Sequence, residues 1–340
     1  MASLNKAFLA AFFCFAAATI LPRHSEGQQS TSQLDRRTEQ EPRIRIAVDL
    51  VSVDVRVTNA RGDFLGDLKR ENFRVLEDGA ERPITHFASS EEPAMVLVLV
   101  ETSPAVILIH RQYLAAGRAL LDGLAEKDWV ALAAYDQSAR VVQIFTQDRR
   151  DVLTELAGLR FNLGASELYF LQSVSTALDW LQAVPGRKAL VLLTTGLDTE
   201  QPRQWDGLAE KLRASEVVVF PVALGGTLRE FRETKKSAGG ETAALSFEQA
   251  DRDLEEAARL TGGHAYFPKK AKDFESIYRE ISAAVRHTYN LGFAPVARDG
   301  RFHKIDVQIV DAKGRVTAPA ENPKRGYQIH ARQGYVAPQP

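Results

Sequence analysis

Carboxylate and hydroxyl side chains follow or precede apolar runs at three separate places in the sequence. The five residues are Glu101, Ser103, Ser166, Thr195 and Asp198. A serine hydroxyl can act as a nucleophile, and two carboxylates can act as an acid and a base. The same groups can also simply hold a bound molecule through polar contacts.

The catalytic interpretations of these residues are weak. Ser103 lies in no Gly-x-Ser-x-Gly elbow. Glu101 and Asp198 could do acid–base work only if a closed site pushed their pKa values apart. The histidines show no i, i+4 pair of the kind that binds zinc on a helix. We therefore expect a protein that is not an enzyme, and a hydrolase built on these residues is the weaker alternative.

Three solid apolar runs indicate the strands that position these groups. They are Met95–Val100, Ala189–Leu193 and Val217–Val222, and they alternate with amphipathic, helix-like stretches. This alternation predicts an α/β domain with a doubly wound, mostly parallel sheet. Since ligands bind outside the carboxyl ends of such strands, the loops that carry the five polar residues are the places to look for a site.

The two flanks of this domain have strand-like patterns. Val51, Val53, Val55 and Val57 alternate with polar residues, and Asp78-Gly79 is a hairpin-turn signal. Further strands are expected in the C-terminal flank, at 289–293, 304–310 and 327–330. Few strands alone make a poor core, so we expect the flanks to pair into one smaller β-sandwich. The predicted parts are residues 43–92 and 288–340 for the sandwich and 93–287 for the α/β domain.

The N-terminus is typical of an export signal. Asn5-Lys6 precedes an apolar run, Ala7–Leu21, that is shorter than the roughly 20 residues of a membrane span. We predict a signal peptide over residues 1–27 and a disordered, polar tether over 28–42. An uncleaved anchor is the alternative. Export would place the chain in the periplasm, outside the cell or tethered to its surface.

The composition argues against nucleic acid as a partner and agrees with an exported chain. Lys+Arg total 43 and Asp+Glu 44, so the chain lacks the basic excess of a nucleic-acid-binding surface. The single cysteine would be removed with the signal peptide, so the mature chain would have no free thiol. The absence of a free thiol suits an oxidising compartment. No second apolar run is long enough to span a membrane, so none is expected in the mature chain.

The three loops, in their order, resemble the metal-ion-dependent adhesion site of von Willebrand factor type A domains. The similarity is greatest to the VWFA-related domain of acidobacterial secreted proteins. The segments that carry it outside the loops are 51–87, 260–282, 289–295 and 331–338, including "YNLGFAP" and "ARQGYVAP". The resemblance therefore covers nearly all of the chain after the signal segment.

That family holds a divalent cation with an Asp-x-Ser-x-Ser loop, a Thr and a second Asp, and this sequence departs from the pattern. Glu101 replaces the first Asp, Ala105 the second Ser, Ser166 the Thr, and Thr195 the last Asp, while Ser103 is kept. Mg²⁺ tolerates misplaced ligands badly, and a hydroxyl attracts it less than a carboxylate does. The resemblance thus implies a degenerate site.

The resulting prediction is an exported, adhesion-type module without a cofactor, which docks a protein partner through Glu101, Ser103, Ser166, Thr195 and Asp198. The alternative is a Mg²⁺-dependent module in which Glu101, Ser103 and Ser166 hold the ion. The sequence assigns no role to the polar segment 227–242 and no identity to the partner.

Overall fold

A computed structural model provides the structure of the chain. It describes residues 50–59, 62–90, 93–104, 106, 110–164, 167–200, 203–225, 247–270, 272–311, 313–317 and 326–339. The predicted signal peptide and tether, Ala105, Ser166 and the segment 227–242 lie outside these residues.

Strands and helices alternate in the middle of the chain and strands dominate its flanks. The strands are β1 (Val51–Asn59), β2 (Phe73–Glu77), β3 (Ala80–Arg82), β4 (His86–Ser90), β5 (Ala94–Glu101), β6 (Trp129–Tyr135), β7 (Ala139–Thr146), β8 (Arg187–Thr194), β9 (Val217–Ala223), β10 (Thr288–Phe293), β11 (Phe302–Ile309), β12 (Tyr327–Ala331) and β13 (Gly334–Val336). The helices are α1 (His110–Gly123), α2 (Arg149–Ala157), α3 (Phe170–Gln182), α4 (Trp205–Ala214), α5 (Phe247–Thr261) and α6 (Asp273–Arg286).

The central sheet has five strands in the order β7-β6-β5-β8-β9. Four of them are parallel, and β7 pairs antiparallel with β6 at one edge. Helices α1, α2 and α6 pack on one face, and α3, α4 and α5 pack on the other. The predicted doubly wound, mostly parallel sheet is therefore confirmed.

Two-sided burial explains why the central strands are apolar without interruption. In β5, Val96, Val98 and Val100 face the α1 side, whereas Leu97 and Leu99 face the α3 side, and all five are buried. Each such side chain contributes about 1.5–3 kcal/mol of transfer free energy. A strand covered on one side only would need polar residues at alternate positions.

The flanks form two four-stranded antiparallel sheets, with the orders β12-β1-β10-β4 and β13-β11-β2-β3. Strand β1 lies between β10 and β12, so residues near the start of the described chain pair with residues more than two hundred positions later, as in Val51↔Phe293. Their inner faces share a core that includes Val53, Tyr289 and Phe293. The β-sandwich built from both flanks is confirmed, while the proposed domain boundaries stay predictions.

The predicted turn between β2 and β3 has the backbone that its sequence requires. Asp78 and Gly79 have φ values of 50° and 84°, which are the two positive angles of a type I′ hairpin turn.

Three local features differ from the sequence interpretation. Helix α2 was missed, although Asp148 caps it by accepting from the Arg150 amide and Val152 and Leu156 form its buried stripe. Strand β13 was also missed because it is only three residues long. The sequence also predicts a short strand at Tyr266-Phe267, but Tyr266 makes only a single bridge there, to Val222. Within the described residues, no helix combines the length and the apolar character that crossing a bilayer requires.

Candidate functional site

The carboxyl ends of β5, β6 and β8 meet at one end of the central sheet, here called the crest. Strand β5 is flanked by β6 on one side and β8 on the other, so the order of connection reverses here. Glu101, Tyr135 and Thr194 are the last residues of these strands, and Ser103 and Thr195 follow in the loops. The sheet therefore brings Glu101, Ser103 and Thr195 together.

The Glu101 carboxylate is the centre of a hydrogen-bond network. Its Oε1 accepts from Ser103 Oγ at 2.6 Å. Its Oε2 accepts from the Thr195 amide at 2.6 Å and from Thr195 Oγ1 at 2.8 Å. Longer bonds of 3.1 Å from the Tyr135 hydroxyl and 3.2 Å from Thr194 Oγ1 reach the same oxygen. Both carboxylate oxygens are thus engaged by groups of the chain itself.

This network is closed to solvent. Glu101 and Thr195 are 0% exposed, and Ser103 is 4% exposed. A carboxylate taken out of water is stable only where hydrogen bonds replace its hydration, and bonds to an ionised group are stronger than neutral ones. The hydroxyls and the amide supply that replacement, so the network joins the loops after β5 and β8 to the ends of the strands.

Tyr135 and Thr194 are part of the site, and the sequence analysis did not select them. Their hydroxyl oxygens lie 2.6 Å apart, and Thr194 Oγ1 also accepts from the Gly196 amide at 2.8 Å. The available signal was a polar group at the last position of an otherwise apolar strand. Gly196 has a φ of 71°, and a Cβ there would lie 3.0 Å from Leu254, so this turn needs glycine.

Asp198 belongs to the neighbouring helix rather than to the Glu101 network. Its Oδ2 accepts from the Leu171 amide at 2.7 Å, in the first turn of α3, and its Oδ1 accepts from the Glu200 amide at 2.7 Å. The N-cap residue of α3, Tyr169, makes no side-chain capping bond. Asp198 therefore caps this helix from another loop, where a negative charge is also favoured by the helix dipole.

The donor set described at the crest does not fit a divalent cation well. Of the three predicted ligands, Glu101 and Ser103 are described, and they contribute one carboxylate whose oxygens already accept several hydrogen bonds. Mg²⁺ requires near-octahedral oxygen geometry and usually keeps several waters. Here the carboxylate is buried against its own donors. Among the described residues there is also no group of three or more His, Cys, Asp or Glu side chains suited to a metal ion.

The four predicted docking residues that the structure describes lie under the crest surface rather than on it. Asp198 is 8% exposed, and Glu101, Ser103 and Thr195 are more deeply buried. The loop before α3 is joined to the loop after β5 by a bond from the Asn162 amide to the Thr102 carbonyl at 3.0 Å. Leu163 in that loop is 65% exposed. The prediction that the five residues contact a partner stays a prediction, and the accessible groups of this surface are their neighbours.

Comparisons with known proteins give similarity in fold alone. No protein-family model matches the chain, and no curated protein matches it. Similar solved structures include a conserved hypothetical protein, BatB from Bacteroides thetaiotaomicron, at 15% identity over 56% of this chain and 98% of that chain, with a TM-score of 0.41.

Two further structures carry von Willebrand factor names. One is von Willebrand factor type A from Catenulispora acidiphila, at 12% identity over 84% of this chain and 74% of that chain, with a TM-score of 0.45. The other is the vWF domain of the type V pili tip protein Mfa5 from Porphyromonas gingivalis, at 10% identity over 58% of this chain and 98% of that chain, with a TM-score of 0.43.

Proposed function

We propose that this chain is a non-enzymatic protein-binding module that docks a partner through the loops of the crest without a metal ion. The observation that carries the proposal is the Glu101 carboxylate, which is buried and bound by hydroxyls and an amide of its own chain. Those bonds use the groups that would otherwise hold a cation or attack a substrate.

The crest is suited to docking because its loops are fixed to one another. The Glu101 network joins the loops after β5 and β8, and the Asn162–Thr102 bond adds the loop before α3. Two bonds between Leu168 and Thr199, of 2.7 and 2.8 Å, hold the segment before α3 against the loop after β8. A surface that is ordered before binding loses less conformational entropy on association.

A catalytic role for Ser103 has little support in this geometry. Its hydroxyl donates to Glu101 and is nearly closed to solvent. A nucleophile needs a base that takes its proton and a path for the substrate. The Ser103–Glu101 bond could supply the first of these, but the burial opposes the second.

We also propose that the chain acts outside the cytoplasm, on the basis of the charged start and the apolar run Ala7–Leu21. The measurement is the location of the chain after cell fractionation, together with the N-terminal sequence of the mature protein by mass spectrometry. A cytoplasmic chain that retains residues 1–27 would contradict this part of the proposal.

A capture experiment with paired variants tests the docking surface. The immobilised chain is exposed to extracytoplasmic proteins from its own cells, with and without EDTA. Leu163→Asp places a charge on the crest, whereas Ile144→Asp places it on edge strand β7, where Ile144 is 73% exposed. We expect Leu163→Asp to reduce capture at least about tenfold and Ile144→Asp to leave it unchanged, because one charge in an interface core is costly.

Chelation separates the metal-free proposal from its alternative. EDTA should leave capture unchanged, since no cation is needed at the crest. Loss of capture in EDTA would favour the Mg²⁺-dependent alternative. Equal effects of the two variants would show that the partner does not dock at the crest.

A further inference from the structure

A polar cleft of about 650 Å³ lies at the opposite end of the molecule from the crest, between the β-sandwich and the amino ends of the central strands. One wall is the outer face of the sheet that contains β1, β4 and β10. The other wall is formed by the start of β8 and the segment that leads into β9. We call it the base cleft, and its charged residues are Asp54, Lys127, Arg187, Lys188, Glu216 and Arg332.

The base cleft carries an excess of positive charge. Lys127, Arg187, Lys188 and Arg332 supply four cations, and Asp54 and Glu216 supply two carboxylates, with histidine counted as neutral. The chain as a whole has a formal net charge of −1, so this excess is a local feature. A concave site lined by one sign of charge concentrates ligands of the opposite sign.

Arg332 is a deeply buried cation of this cleft, and no carboxylate of the described residues lies within salt-bridge distance of it. It is 9% exposed, and its Nη2 donates to the Ser52 carbonyl at 2.5 Å. Its Nε is buried and has no hydrogen-bond partner. Burial lowers the pKa of the Arg332 guanidinium below its ordinary value, and the carboxylates Glu216 and Asp54 act in the opposite direction. A buried cation held mainly by a carbonyl is an unfavourable arrangement unless a further anion joins it.

The two carboxylates of the cleft form loose ion pairs with Arg187 and Lys188. Asp54 Oδ2 lies 3.8 Å from Arg187 Nε, and Glu216 Oε2 lies 3.7 Å from Lys188 Nζ. Both distances exceed that of a hydrogen bond. Asp54 accepts its short bond, of 2.8 Å, from the amide of Asn290 instead. Arg187 and Lys188 also donate to the carbonyls of Val285 and Val184. Arg332 is therefore the cation whose unused donor can bind an oxyanion, and the charges of Arg187 and Lys188 add to the attraction.

We propose that the base cleft binds a small organic oxyanion, a molecule that bears a carboxylate or phosphate group together with hydroxyls. Arg332, Arg187 and Lys188 would bind the anionic group, since guanidinium matches the planar or tetrahedral oxygens of both. The hydroxyls and the amide of the lining, Ser52, Ser89, Ser215 and Asn290, would bind the hydroxyls of the ligand. The volume lies within the range of small-molecule sites and far exceeds what a lone inorganic ion fills.

This site is independent of the proposed docking function. The two lie at opposite ends of the same parallel strands, so a ligand in the cleft does not need the crest. Failure of one proposal leaves the other standing.

Titration calorimetry on the full chain tests the proposal with four probes: inorganic phosphate, glucose 6-phosphate, glucuronate and a polyglutamate peptide. We expect saturable binding of at least one of the two sugar acids, with a dissociation constant below about 1 mM. The phosphorylated and the carboxylated sugar distinguish the two possible anionic groups. Inorganic phosphate should bind more weakly than the sugar of its class because it cannot fill the cleft.

Matched variants locate the binding. Arg332→Gln and, separately, Lys188→Gln should each raise the dissociation constant at least about tenfold. Arg315→Gln removes the same charge from an exposed pair with Asp311 on the sandwich and should leave it unchanged. The Lys188 variant keeps the test valid if the Arg332 variant does not fold.

Three results would overturn the proposal. The first is the absence of saturable binding by either sugar acid. The second is binding that all three variants leave equal, which would place it elsewhere. The third is binding of the polyglutamate peptide alone, which would make the cleft an acidic-peptide site.

Discussion

The two ends of the central sheet differ in how completely hydrogen bonds satisfy a buried charge. At the crest, the Glu101 carboxylate accepts from hydroxyls and an amide on adjacent loops, and its shell is complete. At the base, Arg332 is nearly as deeply buried but donates to one carbonyl and keeps a buried Nε without a partner. Since both charges are costly to desolvate, the difference lies in how far the chain itself compensates each one.

This contrast separates structure from binding. A buried charge with a complete set of partners holds loops together and has little capacity left for a ligand. A buried charge with an incomplete set has that capacity. The polar cluster at the crest therefore joins loops to one another, whereas Arg332 at the base lies in the cleft proposed to bind a ligand.

The largest expected effect is the loss of stability on breaking the crest network. Glu101→Ala should lower the free energy of unfolding by about 3–5 kcal/mol, because it leaves several buried donors without an acceptor. Chemical denaturation followed by circular dichroism measures it. Glu167→Ala, an exposed carboxylate on the same loops, is the control and should change stability by less than about 0.5 kcal/mol. Equal effects of the two variants would mean that the crest network is not structural.

Acid should lower the stability of the chain through His330. His330 lies opposite Arg56 in the β1–β12 register, and burial, with the charges of Arg56 and His264, lowers the pKa of His330 from 6.5 to about 4. Between these values the unfolded chain binds a proton that the folded chain does not. The free energy of unfolding should therefore fall as pH falls from 6.5 to 4, by about 2 kcal/mol for this residue.

Denaturation curves across this pH range, recorded for the wild type and for His330→Leu, measure that contribution. The variant should show the smaller loss, since it has no proton to bind. If the free energy of unfolding fell equally with pH in both proteins, His330 would not contribute to the acid sensitivity.

Removal of the base cation should have a much smaller effect than removal of the crest anion. Arg332→Met keeps an apolar side chain about as long as the aliphatic stem of arginine and eliminates the desolvated charge, so stability should stay within about 1 kcal/mol of the wild type, on the stabilising side. Thermal and chemical unfolding both report this difference. A loss as large as that of Glu101→Ala would show that Arg332 is fully compensated in the free chain, and the contrast between the two ends would fail.

The smallest expected effect is that of divalent cations. Millimolar MgCl₂ or EDTA should shift the melting temperature by less than about 1 °C, because a ligand stabilises a protein only if the folded state binds it. Calorimetric titration should show no saturable heat from Mg²⁺ or Mn²⁺. A saturable signal that Glu101→Ala abolishes would restore a metal role for the crest.

Periodic burial made most of the fold predictable from the sequence. The unbroken run Met95–Val100 favours a strand covered on both faces, and the alternation in Val51–Val57 favours a strand with one apolar face. Helix α2 escaped because only Val152 and Leu156 mark its buried side. Short elements carry too few residues for a period to be visible.

The site was predictable in place but not in chemistry. The carboxyl ends of the strands located Glu101, Ser103 and Thr195, yet nothing in the sequence shows which hydroxyl donates to which oxygen. Asp198 was left between two roles, and only the three-dimensional position of α3 decides for the cap. The base cleft could not be anticipated, because Asp54, Arg187 and Arg332 are far apart in the chain and meet only after the flanks pair.

The pairing of β1 with β10 and β12 also has a consequence for the order of folding. Strand β1 leaves the ribosome long before either of its neighbours exists, and direct closure of so long a loop is entropically costly and slow. The intervening α/β domain has short-range parallel crossovers and can collapse first, which draws the two flanks toward each other. On this view the α/β domain folds first and brings the two halves of the sandwich together. A mutation that delays folding of the α/β domain would leave β1 as an unpaired, aggregation-prone edge during synthesis.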